Sequence, residues 1–218
     1  MEIVDFDKTP SLMSRYLREL RDTSIQTDQM RFRRNLERIG EIMAYEISKR
    51  LDYEAETVKT PMGVTDCMES KDKIVLATIL RAGLPFHNGF LNYFDRAENA
   101  FVSAYRKYKE KGDSFDVLIE YMASPDIEGK TLIIVDPMLA TGSSMELGYR
   151  ALLNNGVPKK IHVASVIASR QAIDYVAEKF PEDKTTIWTA AIDPAINHHS
   201  YIVPGLGDAG DLAFGEKL

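Results

Sequence analysis

The chain has 218 residues, of which 44% are hydrophobic and 28% are charged, as in an ordinary globular protein with a sizeable core. Its net charge of −6 argues against a nucleic-acid partner or an anionic membrane surface. Cys67 is the only cysteine, so no internal disulfide can form and a reducing compartment is expected. Because no segment has the pattern of a signal peptide or a membrane span, we expect a cytoplasmic protein with no membrane partner.

The first 51 residues are predicted to be a helical addition to the main domain. One short helix is indicated for Ser11–Arg21 and a longer one for Gln29–Leu51. The longer helix carries an apolar stripe with steps of three or four: Phe32, Leu36, Ile39, Met43 and Ile47. Such a stripe is typical of a core face or a subunit interface. The many arginines and glutamates around it indicate a solvated face with ion pairs, and the alternative is a phosphate or effector role.

After a short strand and turn at residues 58–63, apolar β-branched runs alternate with helical patterns. Strands are predicted at residues 74–80, 100–105, 115–122, 132–135, 161–168 and 185–191. Helices are predicted at residues 86–93, from 145 to the Asn-Asn-Gly at 154–156, and from an N-cap at Ser169 to about Phe180. This alternation indicates an α/β fold with a mostly parallel central sheet flanked by helices, in a single domain spanning residues 1–218.

A polar, charged segment, Lys107–Asp113, separates two of the predicted strands. The pattern predicts a β-hairpin. Two uses of this hairpin stay open: it is a flap that closes over a site, or it is an exposed arm that makes oligomer contacts.

The segment Thr131–Met145, TLIIVDPMLATGSSM, has the pattern of a buried strand, a loop and a helix. Free N–H groups and the positive end of a helix dipole make such a junction an anion site, and Gly142 lets the backbone approach a phosphate closely. No lysine stands at P-loop spacing, so the segment suits one terminal phosphate, with Asp136 placed for sugar hydroxyls or a hydrated cation. The alternative is that Ser143 or Ser144 merely caps the helix.

Arginine follows two other predicted strands. Arg81 comes directly after the strand at 74–80, and Arg106 follows the strand at 100–105. Open α/β sheets bind ligands at the carboxyl ends of their strands, and the planar guanidinium suits the oxygens of a diphosphate. For Arg81, the alternative is an ion pair with a surface acid.

The last third of the chain contains a loop rich in residues that break regular structure, YIVPGLGDAGD at Tyr201–Asp211. Its exposed backbone N–H and C=O groups could pair with the edge of a planar heterocycle, and the alternative is a flexible loop with glycines at its turns. His198 and His199 precede this loop. Adjacent histidines without a carboxylate or cysteine at ligand spacing are typical of polar loop residues rather than of a metal site.

Four segments together resemble the uracil phosphoribosyltransferases, which are type I phosphoribosyltransferases. They are ILRAGL at Ile79–Leu84, AYR at Ala104–Arg106, VDPMLATGSSM at Val135–Met145 and the tail YIVPGLGDAGD. FRRNLERIGEIMAYEI and KTPMG resemble the family's N-terminal portion, so that the resemblance covers residue 30 to the end. The resemblance implies transfer of a phosphoribosyl group from phosphoribosyl diphosphate to N1 of uracil, giving UMP and diphosphate in pyrimidine salvage.

The resemblance also implies roles for individual residues. Phosphoribosyl diphosphate is expected to bind to Arg81, Arg106, Asp136, Pro137, Met138, Leu139, Ala140, Thr141, Gly142, Ser143, Ser144 and Asp208. Uracil is expected to bind, largely through main-chain atoms, to Ile202, Gly207, Asp208 and Ala209, within a base-binding loop at residues 200–212. The catalytic residues are expected to be Asp208, Arg81 and Arg106.

Further implications concern ligands and partners. Mg²⁺ is the implied cofactor, held mainly by the diphosphate and not by direct side-chain ligands. A GTP effector and a homo-oligomer, either a dimer or a tetramer, are also implied. Two other functions stay open: transfer to another nucleobase, and a non-catalytic nucleotide-sensing regulator with the same fold.

The chain departs from the family pattern in two places. The run from Pro85 to Gly89, PFHNG, replaces the usual Gly-Met and Asp-Gly pair, which puts the start of the local helix in question. Ser143 replaces a second glycine of the phosphate loop. A serine would be strained if this position required a positive φ, but we expect the loop to form because a hydroxyl suits a phosphate.

Overall fold

The central sheet organises the chain. A computed structural model describes the backbone of residues 1–108 and 115–217 and the side chains of residues 1–103 and 119–217. The strands of the described chain are β1 (Glu2–Asp5), β2 (Tyr53–Thr60), β3 (Gly63–Ser70), β4 (Ile74–Leu80), β5 (Glu98–Tyr108), β6 (Phe115–Ala123), β7 (Thr131–Val135), β8 (Met138–Leu139), β9 (Lys160–Ser169), β10 (Thr185–Asp193), β11 (Ala195–Ile196) and β12 (Ile202–Val203). The helices are α1 (Leu12–Arg21), α2 (Gln29–Ser48), α3 (Gly83–Leu91), α4 (Ser143–Leu152), α5 (Arg170–Lys179) and α6 (Ala209–Phe214).

The sheet has the strand order β1-β10-β9-β7-β4-β5-β6, with β8 pairing alongside β9. Every pairing in it is parallel except that between β5 and β6, which is antiparallel. The predicted mostly parallel α/β sheet is therefore confirmed. The parallel strands β4, β5, β7 and β9 all end at one edge, and Arg81 and the predicted phosphate-binding segment follow directly from β4 and β7 there. Arg106, predicted to follow its strand, lies within β5.

Helices cover both faces of the sheet. Side chains of α1, α2, α3 and α6 form one core, and those of α4 and α5 form the other. The apolar stripe of α2 lies in the first core, with every member at most 1% exposed. Of the two interpretations of the stripe, the core face is thus correct. The charged residues around it form ion pairs, such as Arg34 with Glu37 at 2.8 Å, as predicted for a solvated face.

Two glycines bring α3 close to α2. A Cβ atom on Gly89 would lie 2.1 Å from the carbonyl oxygen of Glu37, and one on Gly40 would lie 2.5 Å from that of Phe86. Only glycine at these crossing points lets the two helix backbones approach so closely. The contact fixes α3, and with it the turn that carries Arg81.

The N-terminal region and the segment before β4 differ from the prediction. Besides its two helices, the N-terminal addition contributes the strand β1, which pairs with β10 at the edge of the sheet. Where a short strand and turn were predicted, β2 and β3 form a long antiparallel hairpin, here called the arm. All the arm residues are exposed except Thr60 and Ser70, which are partly exposed.

The predicted hairpin between β5 and β6 is present as an antiparallel pair, with a register shift between Ser103 and Ala104. Its tip, residues 109–114, lies outside the described residues, so the two uses proposed for it stay open. None of the helices in the described part of the chain combines the length and the apolarity that crossing a bilayer requires.

Candidate active site

The predicted phosphate-binding segment, residues 136–144, follows β7 and is here called the phosphate loop. Backbone bonds fix it against β9: the carbonyl of Pro137 accepts from the N–H of Val166 at 3.1 Å, and β8 runs parallel to β9. The buried hydroxyl of Ser169 donates to the carbonyl of Ala140 at 2.6 Å. Because these contacts tie the loop to the sheet, its backbone is held in place before any ligand arrives.

Gly142 is the residue that turns the phosphate loop into α4. Its φ is +83°, a left-handed conformation that favours glycine, and it is the N-cap residue of α4 without a side-chain capping bond. A Cβ atom there would lie 2.7 Å from Cδ1 of Tyr175. Since Ser143 and Ser144 are the first helical residues, the interpretation that one of them merely caps the helix is wrong. Ser143 does not have a positive φ, so replacing glycine there causes no backbone strain.

Hydroxyl groups gather at this helix start. The hydroxyl of Thr141 donates to that of Ser143 at 3.2 Å, and it accepts from the Ser143 N–H at 3.3 Å. Both bonds are long, so a phosphate oxygen can replace them with better geometry. Together with the first-turn N–H groups and the helix dipole, these hydroxyls can hold a dianionic phosphate.

One acid, Glu146, lies in the first turn of α4, but its carboxylate is engaged elsewhere. The hydroxyl of Tyr175 donates to it, and Arg150 pairs with it at 2.7 Å. The hydrogen bond to Glu146 and the burial of the ring together raise the pKa of the Tyr175 hydroxyl above its ordinary value. Tyr175 thus supports the phosphate loop in two ways: its ring lies beside Gly142, and its hydroxyl holds Glu146. Its role was not predicted from the sequence, where it is one aromatic residue on an ordinary amphipathic helix.

Arg81 lies at the same edge of the sheet, directly after β4. The turn that follows it contacts the end of β7, because a Cβ atom on Gly83 would lie 3.4 Å from the carbonyl oxygen of Val135 and 2.2 Å from Oγ1 of Thr78. The peptide bond between Leu80 and Arg81 is cis. The Arg81 side chain is 41% exposed, so a ligand can reach it.

The alternative predicted for Arg81, an ion pair with an acid, is also observed. Its Nη2 donates to Oδ1 of Asp211 at 2.8 Å, and its Nη1 donates to the carbonyl of Gly215 at 3.3 Å. The acid belongs to the C-terminal helix α6, which follows directly from the predicted base-binding loop. Arg81 therefore joins the predicted diphosphate position to the predicted base position.

Arg106 lies in β5, where its backbone pairs with that of Val117. Its side chain is outside the described part of the structure, so its role in binding the diphosphate stays a prediction.

The departure at Pro85 does not disturb α3, which begins at Gly83. Pro85 is the third helical residue, where its missing N–H costs nothing, because the N–H groups of the first turn have no intrahelical partner.

His87, another residue of this departure, is a packing residue. Its Nε2 lies 2.8 Å from Oδ1 of Asn99, and its ring contacts Phe101 with centroids 5.4 Å apart. Burial lowers the pKa of His87 from 6.5 to about 4, so the ring is neutral at physiological pH.

The predicted base-binding loop is anchored by residues far away in the sequence. Arg21 donates to both carboxylate oxygens of Asp193 at 2.8 Å and to the carbonyl of Gly205 at 2.8 Å. Oδ2 of Asp193 in turn accepts from the Gly205 N–H at 3.0 Å, and Gln26 donates to the carbonyl of Leu206 at 3.1 Å. The loop is therefore braced and not freely flexible, contrary to the alternative weighed for it.

Within this loop, Ile202 is 3% exposed and Ala209 is 2% exposed, while Gly207 has a φ of +94°. Asp208 is the N-cap of α6, since its Oδ1 accepts from the Asp211 N–H at 3.0 Å. Its other oxygen lies 3.5 Å from the hydroxyl of Tyr201. The four residues predicted to contact uracil thus share one loop beside Arg81.

The two adjacent histidines lie in the loop between β11 and β12, with ring centroids 3.8 Å apart. The described residues contain no group of three or more histidine, cysteine, aspartate or glutamate side chains that could hold a metal ion.

A mostly parallel α/β sheet, with the predicted phosphate-binding segment, Arg81 and the predicted base-binding loop close to its carboxyl edge, is the arrangement expected of a phosphoribosyltransferase. A family model described as uracil phosphoribosyltransferase matches residues 9–216. The chain therefore belongs to the uracil phosphoribosyltransferase family.

Individual relatives agree with this membership. A uracil phosphoribosyltransferase of Porphyromonas gingivalis is 65% identical over 218 residues, which cover 100% of both chains. One from Pyrococcus furiosus is 40% identical over 219 residues, covering 99% of this chain and 91% of the other. Among solved structures, the AQ2163 protein from Aquifex aeolicus is 30% identical, with a TM-score of 0.86 and 98% of each chain covered.

Proposed function

We propose that this chain transfers the 5-phosphoribosyl group of phosphoribosyl diphosphate to N1 of uracil, giving UMP and diphosphate. Family membership supports this activity. The observation that carries it is the position of Arg81, whose turn contacts the end of β7 while its guanidinium touches the helix that follows the base loop. A sugar bound between the phosphate loop and the base loop would have its diphosphate beside this arginine.

The residues serve the charge changes of this reaction. Positive charge develops on the ribose while negative charge grows on the departing diphosphate, and Arg81, with Arg106, would stabilise the latter. The 5-phosphate at Thr141–Ser144 would anchor the substrate, so that binding energy away from the reacting carbon orients it. Asp208, on the base side, would steady the uracil or the ribose, and Ile202, Gly207 and Ala209 would contact the base.

Mg²⁺ is part of the proposal, carried to the site by the diphosphate. The oxygen donors at this edge, Asp136 and Thr141, are of the kind that Mg²⁺ accepts, usually with several retained waters. When bound, the ion would neutralise charge on the diphosphate. Asp136 and Thr141 would then contact the ion through its retained waters, and a full set of protein ligands around it is not needed.

The activity is tested by incubating the protein with phosphoribosyl diphosphate, Mg²⁺ and each nucleobase in turn, and measuring diphosphate release. The expected result is release with uracil alone among the bases. Release with a purine instead would favour an enzyme for another base. Binding of phosphoribosyl diphosphate without turnover of any base would favour a nucleotide-sensing regulator.

We also propose that the chain forms a homo-oligomer through the arm. A two-stranded hairpin is at best marginally stable in water by itself. The register places Tyr53, Ala55, Met68 and Val64 on one face of the arm, and Val64 and Met68 are 72% and 63% exposed. Polar residues, Thr57, Lys59 and Asp66, share this face, and the arm is held at its base where Tyr53 donates to the carbonyl of Ser48 at 3.1 Å. The exposed apolar side chains on such an extended arm fit contact with a second copy of the chain.

Light scattering coupled to size exclusion tests the oligomer. Wild-type protein is expected at the mass of a dimer or a tetramer, and the pair Val64→Glu and Met68→Glu is expected to lower that mass. Val58→Glu is the matched control, because Val58 lies on the opposite face of the arm. A monomeric wild type, or a charged pair with unchanged mass, would exclude this interface.

A GTP effector and a cytoplasmic location stay predictions. The first rests on the family resemblance and the second on the sequence analysis. Turnover measured with and without GTP at subsaturating phosphoribosyl diphosphate decides the former: a higher rate with GTP supports it, and equal rates remove it.

A further inference from the structure

The guanidinium of Arg81 already has anionic and carbonyl partners within the chain. Asp211 accepts from its Nη2 at 2.8 Å, and the carbonyl of Gly215 accepts from its Nη1 at 3.3 Å. Both partners belong to α6 or to the tail directly after it. The residue proposed to bind the diphosphate is therefore occupied by the C-terminal segment of its own chain.

The fit of this pair is specific. A Cβ atom on Gly210 would lie 3.3 Å from Nη2 of Arg81 and 3.2 Å from Oδ1 of Asp208, so a larger residue would crowd both groups. Asp211 is aligned by its own N–H, which donates to Asp208 at 3.0 Å. Gly210 leaves room for the guanidinium and Asp208 fixes the first turn of α6, so that the carboxylate of Asp211 faces Arg81.

The pair is also open to exchange. The side chains of Arg81 and Asp211 are 41% and 30% exposed, and ion pairs with this much solvent access are weak. A diphosphate carries more charge than one carboxylate and can accept two parallel N–H bonds from a guanidinium. It therefore outcompetes Asp211 for the same donors.

Helix α6 does not depend on this pair for its position. Arg33 donates to the carbonyl of Ala213 at 2.6 Å, and the Ala213 side chain is fully buried in the core beneath α2. Asp208 caps the helix through a separate bond. Arg81 can thus leave Asp211 while α6 and the base loop stay in place.

We propose that Asp211 is a positioning residue that holds Arg81 in the ligand-free protein and is displaced from it by the diphosphate. Asp211 then acts as an internal competitor, which weakens the binding of phosphoribosyl diphosphate and speeds the departure of product diphosphate. This inference rests on the proposed function, because it takes Arg81 as the diphosphate ligand.

The test is calorimetric titration of the folded protein with inorganic diphosphate and Mg²⁺, alongside the KM for phosphoribosyl diphosphate. Asp211→Asn keeps the backbone bond to Asp208 and removes the charge. We therefore expect two constants, the Kd for diphosphate and the KM for phosphoribosyl diphosphate, to fall by about two- to fivefold. Asp211→Glu restores a carboxylate and should return both constants towards the wild-type values. The KM for uracil should change less than these two constants, because the backbone bond that holds Asp208 is kept.

Glu216→Gln is the matched control, since it removes one negative charge from the same exposed tail, a few residues further along. A similar gain in affinity for Glu216→Gln would mean that net charge alone is responsible, and it would overturn the inference. Unchanged or weaker diphosphate binding by folded Asp211→Asn would also overturn it. A wild-type protein that binds no diphosphate would instead refute the proposed function, and the inference with it.

Discussion

Gly142 carries the backbone geometry of the phosphate loop. Its φ of +83° and the ring of Tyr175, 2.7 Å from a Cβ atom placed there, both exclude a side chain. We expect Gly142→Ala to lose about 1–2 kcal/mol of unfolding free energy from the left-handed backbone alone. It should also raise the KM for phosphoribosyl diphosphate, because the loop must shift away from Tyr175.

Gly129→Ala is the matched control for this change. Gly129 has a φ of +64° in a turn where nothing lies within 4 Å of the added Cβ. Urea denaturation should show the backbone loss in both variants and a larger total loss in Gly142→Ala, where the added Cβ also meets Tyr175. Steady-state kinetics should show a raised KM for phosphoribosyl diphosphate only in Gly142→Ala. Equal KM values in the two variants would count against the phosphate role of this loop.

Arg81 is expected to contribute mainly to binding of the diphosphate. We predict that Arg81→Ala raises the KM for phosphoribosyl diphosphate by about ten- to a hundredfold, the range of a lost hydrogen bond to a charged group. The KM for uracil should change little. Arg96→Ala serves as control, since Arg96 is an exposed arginine at the opposite edge of the sheet, before β5. Unchanged kinetics of Arg81→Ala would remove this residue from the site.

At the level of elements, the base loop depends on its attachment to α1 and β10. Asp193 is 5% exposed and shares its carboxylate between Arg21 and the Gly205 N–H. Asp193→Asn keeps the size of the side chain but breaks the bidentate ion pair, so the loop should lose its fixed position. We predict a raised KM for uracil and a smaller rise in the KM for phosphoribosyl diphosphate, which reaches this loop only through Asp208, both measured under steady-state conditions.

Asp22→Asn tests whether this effect is specific. Asp22 follows Arg21 in the chain but pairs with the exposed Arg18, at 3.6 Å. Its replacement should leave both KM values as they are. If Asp193→Asn behaved in the same way, the base loop would not need its anchor.

The elements that the sequence predicted are those with strong periodicity or a long buried run. The stripe of α2 and the strands β4, β7 and β9 belong to this group. Strand β1 was missed because Glu2–Asp5 is short and has an acid at each end. The arm was only partly predicted, since β3 begins with glycine and carries Asp66 among exposed residues, without the alternation of a half-buried strand.

The candidate site residues that the sequence proposed are those carried by a local motif, as in Thr141–Ser144 and Asp208, and their roles stay predictions. Arg21 and Asp193 were not, because they are 172 residues apart and neither has a distinctive neighbourhood in the sequence. The same holds for the contact of Arg81 with Asp211, which exists only after the chain has folded. A local motif can thus be recognised in the sequence, whereas the long-range contacts that support it cannot.

For the whole molecule, two buried histidines predict a dependence of stability on pH. Burial lowers the pKa of His87 and of His162 from 6.5 to about 4. Between these values the unfolded chain binds protons that the folded protein does not, so the histidines' contribution to stability is complete above about pH 6.5 and is lost as the pH falls towards 4. From pH 7 to pH 5 each histidine should account for about 2 kcal/mol.

Urea denaturation at the two pH values measures this loss. His87→Gln should reduce the difference between pH 7 and pH 5, while the same change at the exposed His198 should leave it as in the wild type. A difference unaffected by His87→Gln would show that other groups govern acid stability.

We expect the phosphoribosyl side and the base side of the proposed site to meet at Asp208. Asp208→Asn tests it most directly, because asparagine is as good an N-cap as aspartate and keeps α6 in place while the charge is lost. The measurement is kcat/KM for UMP formation from uracil, phosphoribosyl diphosphate and Mg²⁺, with thermal unfolding as the check on the fold. We predict a fall of about a hundredfold or more with an unchanged melting temperature. Near-normal UMP formation by a folded Asp208→Asn would show that the Asp208 carboxylate has no part in the reaction.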